Sequence, residues 1–337
     1  MNHRFSKQYC RIALTSIALV VASFAGAQEV QVATFATGTA VNATKPDSIA
    51  LSRNSVWVSY SNGADKKGLS GSSTVVQYKM SGKVNHVYSI PGYVDGLKID
   101  PATGTVWALQ NQDGNSTLTL IAPKTWKVST PIGYAIPSAS RGYDDAAFRV
   151  GQVFLSYTNP TGPTDPTIQL VKNGSNPLAV TPILLQGATG IDLATGLTNQ
   201  PTAQNDPDSL KVTPYGDLML SGGDDGELIF VTQPGTTKQS VSFLRLLDQS
   251  KVPVSGLDDA VFATASEGTF FLTDTKNNRI LKVTADDLPD GSLYACVGSL
   301  NALVSVDIKT GIVTPIVSSL NGPHGLEFLP DENNQQQ

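Results

Sequence analysis

No long stretch of this chain keeps its apolar residues on one helical face. Short runs recur instead, alternating or wholly apolar and rich in Val, Ile, Thr, Tyr and Phe. VWVSY from Val56, VFLSY from Val153, DLMLS from Asp217 and TFFLTD from Thr269 are the clearest. Gly, Pro, Asn and Asp separate them. This is the pattern of many short antiparallel strands, each with at least one buried face.

The strands come in a recurring order. An apolar strand opens on an aspartate or its equivalent, a turn follows, and a second strand ends in Ser, Thr or Asp. The openings read PDSIAL at Asp47, VDGLKI at Asp95, YDDAAF at Asp144, PDSLKV at Asp208, LDDAVF at Asp258 and PHGLEF at His324. They are 48, 49, 64, 50 and 66 residues apart. A period near 50 with four strands per unit predicts an all-β chain folded as a six-bladed β-propeller.

The first four units supply four antiparallel strands each. DDAVFA, TFFLTD and RILKVTA are assigned to the fifth. SLYACV, ALVSVD, IVTPIV and GLEFL follow in the tail, and VQVATF comes from the N-terminal end. The last blade is therefore expected to close with strands from both termini, which leaves no free edge. The two long steps predict insertions. One is LLQGATGIDLATGLTNQPTAQND, whose LATGL core reads as a turn of helix; the other lies around ADDLPDG.

The ends read differently from the body. His3, Arg4, Lys7 and Arg11 precede the apolar IALTSIALVVASFA, and Ala25-Gly26-Ala27 has the small-x-small form of a cleavage site. Residues 1–27 are expected to be a secretory signal peptide, residues 28–330 the propeller, and residues 331–337 a disordered polar tail. Export to a periplasm or the outside follows. No other apolar run approaches membrane-spanning length.

Charge narrows the partners. The chain carries 23 Lys and Arg against 28 Asp and Glu; without residues 1–27 it has 20 against 28, a net charge of −8. Such a surface disfavours nucleic acid and anionic membranes and suits cations and neutral ligands. Cys296 alone remains after processing, so no internal disulfide forms. With one cysteine and two histidines, a zinc site of the usual ligands is not expected. NQDGNST and GGDDGEL lack the full alternating acidic series of a calcium loop and read as turns.

The innermost strand of a propeller blade lines the central channel. The six openings should therefore form a ring at one mouth: Asp47, Asp95, Asp144, Asp208, Asp258 and His324. The loops carrying Asn62, Asn111, Asn159, Asp224 and Asp274 should hang around it. Two carboxylates about 7 Å apart at an effective dielectric near 20 repel by roughly 2 kcal/mol. Ca²⁺ held by Asp47, Asp95, Asp144, Asp208 and Asp258 would offset this, and so would bonds from each aspartate to its own blade. Three positions break the repeat: His324, and the doubled Asp145 and Asp259. These are the candidate catalytic residues. His324 is a general base, a metal ligand or the counter-charge of the ring. Glu327 is expected on the opposite side of its strand, His86 and Trp126 on outer strands, and Trp57 and Trp107 between blades.

TFFLTDTKNNRILKV resembles a blade of NHL-type propellers on Asp274, Asn277, Asn278 and Arg279. ALVSVDIKTGIVTPIVSSLNGPHGLEF is similar to the repeat of surface-layer-type and streptogramin-lyase-like propellers, and the chain from residue 28 onward resembles the gluconolactonase and paraoxonase-like group. The last resemblance implies a divalent cation at the channel mouth, held by Glu, Asn and Asp, beside an acid–base carboxylate. Where that group has E-G-P and P-N-G segments, this chain has PDS and DDA openings. Two functions follow. One is a Ca²⁺-assisted lactone or ester hydrolase. The other is a non-catalytic propeller that presents the mouth to a small molecule, a glycan or a protein.

Overall fold

The computed structural model describes residues 30–135, 141–172 and 175–331. The segments expected to be a leader (1–27) and all but the first residue of the polar tail lie outside these. Six antiparallel sheets stand around a common axis. The first four blades open with Pro46–Ser52, Val94–Ile99, Tyr143–Arg149 and Pro207–Val212, each followed outward by its own chain. Inner strands of neighbouring blades touch all the way round the ring. No helix among the described residues is long and apolar enough to cross a membrane.

The core is distributed. Six apolar clusters occupy the six interfaces between blades, because each sheet buries both faces against its neighbours. Trp57 is buried between the first two blades, and Trp107 meets Phe148 edge-on between the second and third. His86 lies on the outer strand Val84–Pro91, but Trp126 stands in the turn before Lys127–Val128, stacked on the His86 ring.

The fifth and sixth blades correct the assignment made from sequence order. Leu257–Phe262 pairs with Leu293–Val297, not with Gly268–Asp274. Leu293–Val297, Ala302–Val306 and Val313–Val317 complete the fifth blade. The hairpin of Gly268–Asp274 and Arg279–Ala285 crosses into the closing blade. There Pro323–Pro330 flanks it on the inside and Val30–Thr37 on the outside. Strands from both ends do close the ring, around an internal hairpin. Gly268–Asp274 and Leu293–Val297 are each buried along their full length, so their apolar pattern does not distinguish one partner from the other. The long fifth step is this hairpin. The earlier insertion forms no helix: Asp192 Oδ1 accepts the Ala194 N–H in a tight turn, and Thr189–Asp192 adds a parallel strand to the outer edge of the fourth blade.

One local device recurs in all six inner strands. The register slips by one residue at each opening dipeptide: Asp47-Ser48, Asp95-Gly96, Asp144-Asp145, Asp208-Ser209, Asp258-Asp259 and His324-Gly325. These are β-bulges, which re-aim side chains and terminate regular pairing. The hydroxyls that end several second strands fill them. Ser59 Oγ accepts the Ser48 N–H, Ser156 Oγ that of Asp145, and Thr273 Oγ1 donates to the Asp47 carbonyl.

The bulges also join blades in alternation. On the first, third and fifth blades the second bulge residue accepts a backbone N–H of the next blade: Ser48 Oγ from Leu97, Asp145 Oδ2 from Leu210 and Asp259 Oδ2 from Leu326. At Gly96 and Gly325 the neighbouring strand comes too close for a side chain. A Cβ on Gly96 would collide with the Asp144 carbonyl, and one on Gly325 would lie 2.7 Å from that of Asp47.

Candidate functional site

The six openings gather as expected at one mouth, around a cavity of about 270 Å³. They divide into two unlike halves. In one, His324 Nδ1 lies 2.7 Å from Asp258 Oδ1 and 3.2 Å from Asp47 Oδ1. Tyr93 donates its hydroxyl to Asp47 Oδ2 at 2.7 Å. The Asp258 charge, with both hydrogen bonds, outweighs burial and holds the imidazole pKa well above its ordinary value. Burial pushes Asp47 up, but His324 and Tyr93 bring it below the usual carboxylate range; Asp258 stays above that range because burial outweighs His324. His324 thus bridges the two aspartates through Nδ1, and the shift favours its imidazolium form.

In the other half Asp95, Asp144 and Asp208 each bring a carboxylate oxygen within 4.8 Å of the others. Burial raises all three. Asp144, helped by the Asp95 and Asp208 charges, and Asp208, helped by Asp258 and Asp95, go well above the usual range. Asp95, repelled by Asp47 and Asp258 across the mouth, rises to about 7 even though it shares a hydrogen bond with Asp144. Asp144 is buried and its Oδ1 has no partner among the described residues. Asp206 adds a further carboxylate to the same wall, raised by burial and by Asp224. The set offers only hard oxygen donors, which suits Ca²⁺, and the charge of Lys66 lowers the Asp95 and Asp144 pKa values without offsetting burial. The first half sets one imidazole against two carboxylates. Of the five aspartates expected to hold a cation, Asp95, Asp144 and Asp208 lie together, and Asp47 and Asp258 form a second group with His324 whose ligand atoms are likewise within 4.8 Å of one another.

A pH dependence follows. The folded chain keeps protons on Asp95, Asp144 and Asp208 that the unfolded chain gives up near pH 4. His324 likewise holds its proton more tightly when folded. Wherever the folded state binds more protons, stability falls as pH rises. The melting temperature of the cation-free protein is expected to drop from about pH 5 to about pH 8, and saturating Ca²⁺ should remove most of that drop. Thermal scans across this window check it; a melting temperature that climbs with pH contradicts it.

Asp145 and Asp259 lie one step below the ring. Lys98 Nζ is 2.9 Å from Asp145 Oδ2, and Lys211 Nζ is 2.9 Å from Asp259 Oδ2 and 3.2 Å from Glu327 Oε1. Burial raises the Asp145 pKa, opposed by Lys98, while Asp145 and Asp259 hold that of Lys98 up against burial. Glu327 therefore faces the channel, contrary to simple alternation from His324. The extra residue in the bulge inverts the phase of the strand.

The surrounding loops are mostly structural. Asn62 and Asn111 have positive φ, and their Oδ1 atoms accept the backbone N–H of Thr44 and Tyr93. Asn159 bonds Asp113, and Asp274 is engaged by Arg279, Asn277 and the Asn321 N–H. Only Asp224 of this group lines the cavity. Lys66, which the repeat does not mark, lines it too. Its ammonium lies 5.5 Å from the Tyr93 ring centre, and the charges of Asp95, Asp144 and Asp47 raise its pKa against burial. Its loop is held by the Asp113 N–H on the Lys66 carbonyl and by Asp65 Oδ1 on the Lys67 N–H.

No protein-family profile matches the sequence, and no curated protein matches it. Its fold does match solved structures. A Bacteroides thetaiotaomicron protein of unknown function superposes with a TM-score of 0.52 at 12% identity, over 87% of this chain and 66% of the other. A putative gluconolactonase superposes with a TM-score of 0.50 at 10% identity, over 87% and 83%. The chain is a six-bladed β-propeller. Virginiamycin B lyase from Staphylococcus aureus superposes with a TM-score of 0.48 at 13% identity, over 90% and 96%. At these identities the propeller shares its architecture with the first two, and its chemistry has to be argued from its own mouth.

Proposed function

We propose that this propeller is an exported hydrolase that opens a lactone or comparable ester at its acidic mouth, assisted by Ca²⁺ on Asp95, Asp144 and Asp208. The observation that carries this is the half-ring of three mutually close carboxylates, one with a buried oxygen that has no partner among the described residues. The fold of the putative gluconolactonase supports the lactone class, and the leader-like segment supports export.

A divalent cation there would polarise the acyl carbonyl. The chain supplies the proton chemistry. A water oxygen bonds to the acyl carbon and the ring C–O bond breaks. Asp258 takes the proton that the water gives up, and the His324 imidazolium protonates the departing alkoxide. Release of the Asp258 proton to solvent and uptake of one proton at His324 Nε2 then restore both groups. The product is the open hydroxy acid, with atoms and charge balanced.

A panel of aliphatic and sugar lactones and aryl esters, assayed with Ca²⁺ and with chelator, tests the reading. Calcium-dependent turnover of at least one class is expected. If every substrate stays silent while Ca²⁺ binds, the mouth is a ligand-binding surface without catalysis.

A further inference from the structure

The two DDA heptamers place Asp145 and Asp259 at equivalent positions, yet the structure uses them differently. Asp259 has both oxygens engaged: Oδ1 accepts the Ala260 N–H at 2.8 Å, and Oδ2 takes the Leu326 N–H at 2.8 Å and Lys211. Asp145 engages only Oδ2, with Lys98 and the Leu210 N–H, each at 2.9 Å. Its Oδ1 is buried and has no protein partner among the described residues. Asp145 is 4% exposed and lines the mouth cavity, which Asp259 does not.

A buried acceptor left without a donor costs about 1–3 kcal/mol, and more when it is ionised. The fifth blade shows that this fold can satisfy both oxygens at this position. The open atom on the third blade is therefore matched by something other than the described residues. The cavity is polar and has room for several waters at about 30 Å³ each. Lys98 and the Leu210 N–H hold Oδ2, so Oδ1 is a stationary acceptor, closed to bulk solvent, on a residue that lines the cavity.

We propose that Asp145 is a positioning residue whose Oδ1 anchors the water that adds to the acyl carbon. This rests on the hydrolase reading above. The water donates one hydrogen to Asp145 Oδ1 and releases its other proton to Asp258 as the C–O bond forms. Asp145 itself stays ionised and paired with Lys98.

Two measurements test it. In a high-resolution crystal structure of the wild-type protein, an ordered solvent atom is expected within hydrogen-bonding distance of Asp145 Oδ1 and none on Asp259. In kinetics, Asp145→Asn keeps an oxygen for Lys98 and Leu210 but turns a donor toward the cavity. Its kcat is expected to fall on the order of a hundredfold, the size of effect a misplaced reactant produces. KM and Ca²⁺ affinity should hold. Asp259→Asn should lower the melting temperature and leave kcat unchanged. Equal kcat values for the two variants, or an unoccupied Oδ1, overturn the proposal. Wild-type protein silent on every ester sinks the hydrolase reading instead, and the role of Asp145 in positioning attack falls with it, whatever solvent the crystal shows.

Discussion

Replacing Asp144 by Asn is expected to raise the melting temperature of the cation-free protein while lowering its Ca²⁺ affinity by a hundredfold or more. Both effects have one origin. Asp144 is the buried member of a group of three carboxylates within 4.8 Å of one another, and its Oδ1 has no hydrogen-bond partner among the described residues. Without a cation, its ionised form repels Asp95 and Asp208, so an isosteric amide relieves the fold, most strongly at alkaline pH. With a cation, each carboxylate contributes about 3 kcal/mol per unit of cation charge at ~5 Å and an effective dielectric near 20. Losing one is worth at least about a hundredfold in affinity. Thermal melts with chelator and calorimetric Ca²⁺ titrations separate the two effects. A variant less stable than wild type in chelator at high pH would mean that Asp144 is a structural latch.

Asp259→Ala should do the reverse: lower stability strongly and leave Ca²⁺ affinity alone. Its carboxylate ties the fifth blade to the sixth through the Leu326 N–H and balances Lys211, whose side chain is 11% exposed. Removing one member of a buried ion pair costs about 3–5 kcal/mol. Glu327 remains 3.2 Å from Lys211, which places the loss at the lower end. For a chain of this size, about 3 kcal/mol lowers the melting temperature by roughly 5 °C. Denaturant melts measure this directly, and a loss below about 1 kcal/mol would leave Asp259 without the structural part assigned to it.

The architecture was legible because a propeller repeats it. Each blade has to solve the same packing problem, so its opening recurs at a period near 50 and marks the inner strand. The path of the hairpin Gly268–Ala285 was not legible. Strands buried on both faces look alike in sequence, and which of two equally apolar strands pairs with Leu257–Phe262 depends on closure of the whole ring. The ring residues were found from the repeat, but their division into two unlike halves required the 2.7 Å contact of His324 with Asp258.

The lower layer carried a signal that simple alternation hides. LKI, LKV and LEF place Lys98, Lys211 and Glu327 on the second, fourth and sixth blades, and Asp145 and Asp259 fall between them on the third and fifth. Allowing one bulge residue in each opening turns all five toward the channel. Lys66 left no such trace, because it reaches the mouth from a loop whose shape depends on contacts with the second blade. The unequal use of Asp145 and Asp259 lies in single oxygen atoms and is invisible in two nearly identical heptamers.

The claim that the half-ring of Asp95, Asp144 and Asp208 holds a divalent cation is tested most directly by diffraction. Crystals grown in millimolar Ca²⁺ near neutral or alkaline pH would be measured at a wavelength that gives calcium an anomalous signal. The account predicts one peak per chain, coordinated by these three carboxylates, with His324 still bonded to Asp258. A peak on the Asp47, Asp258 and His324 cluster instead, or an ordered half-ring with no peak, contradicts it.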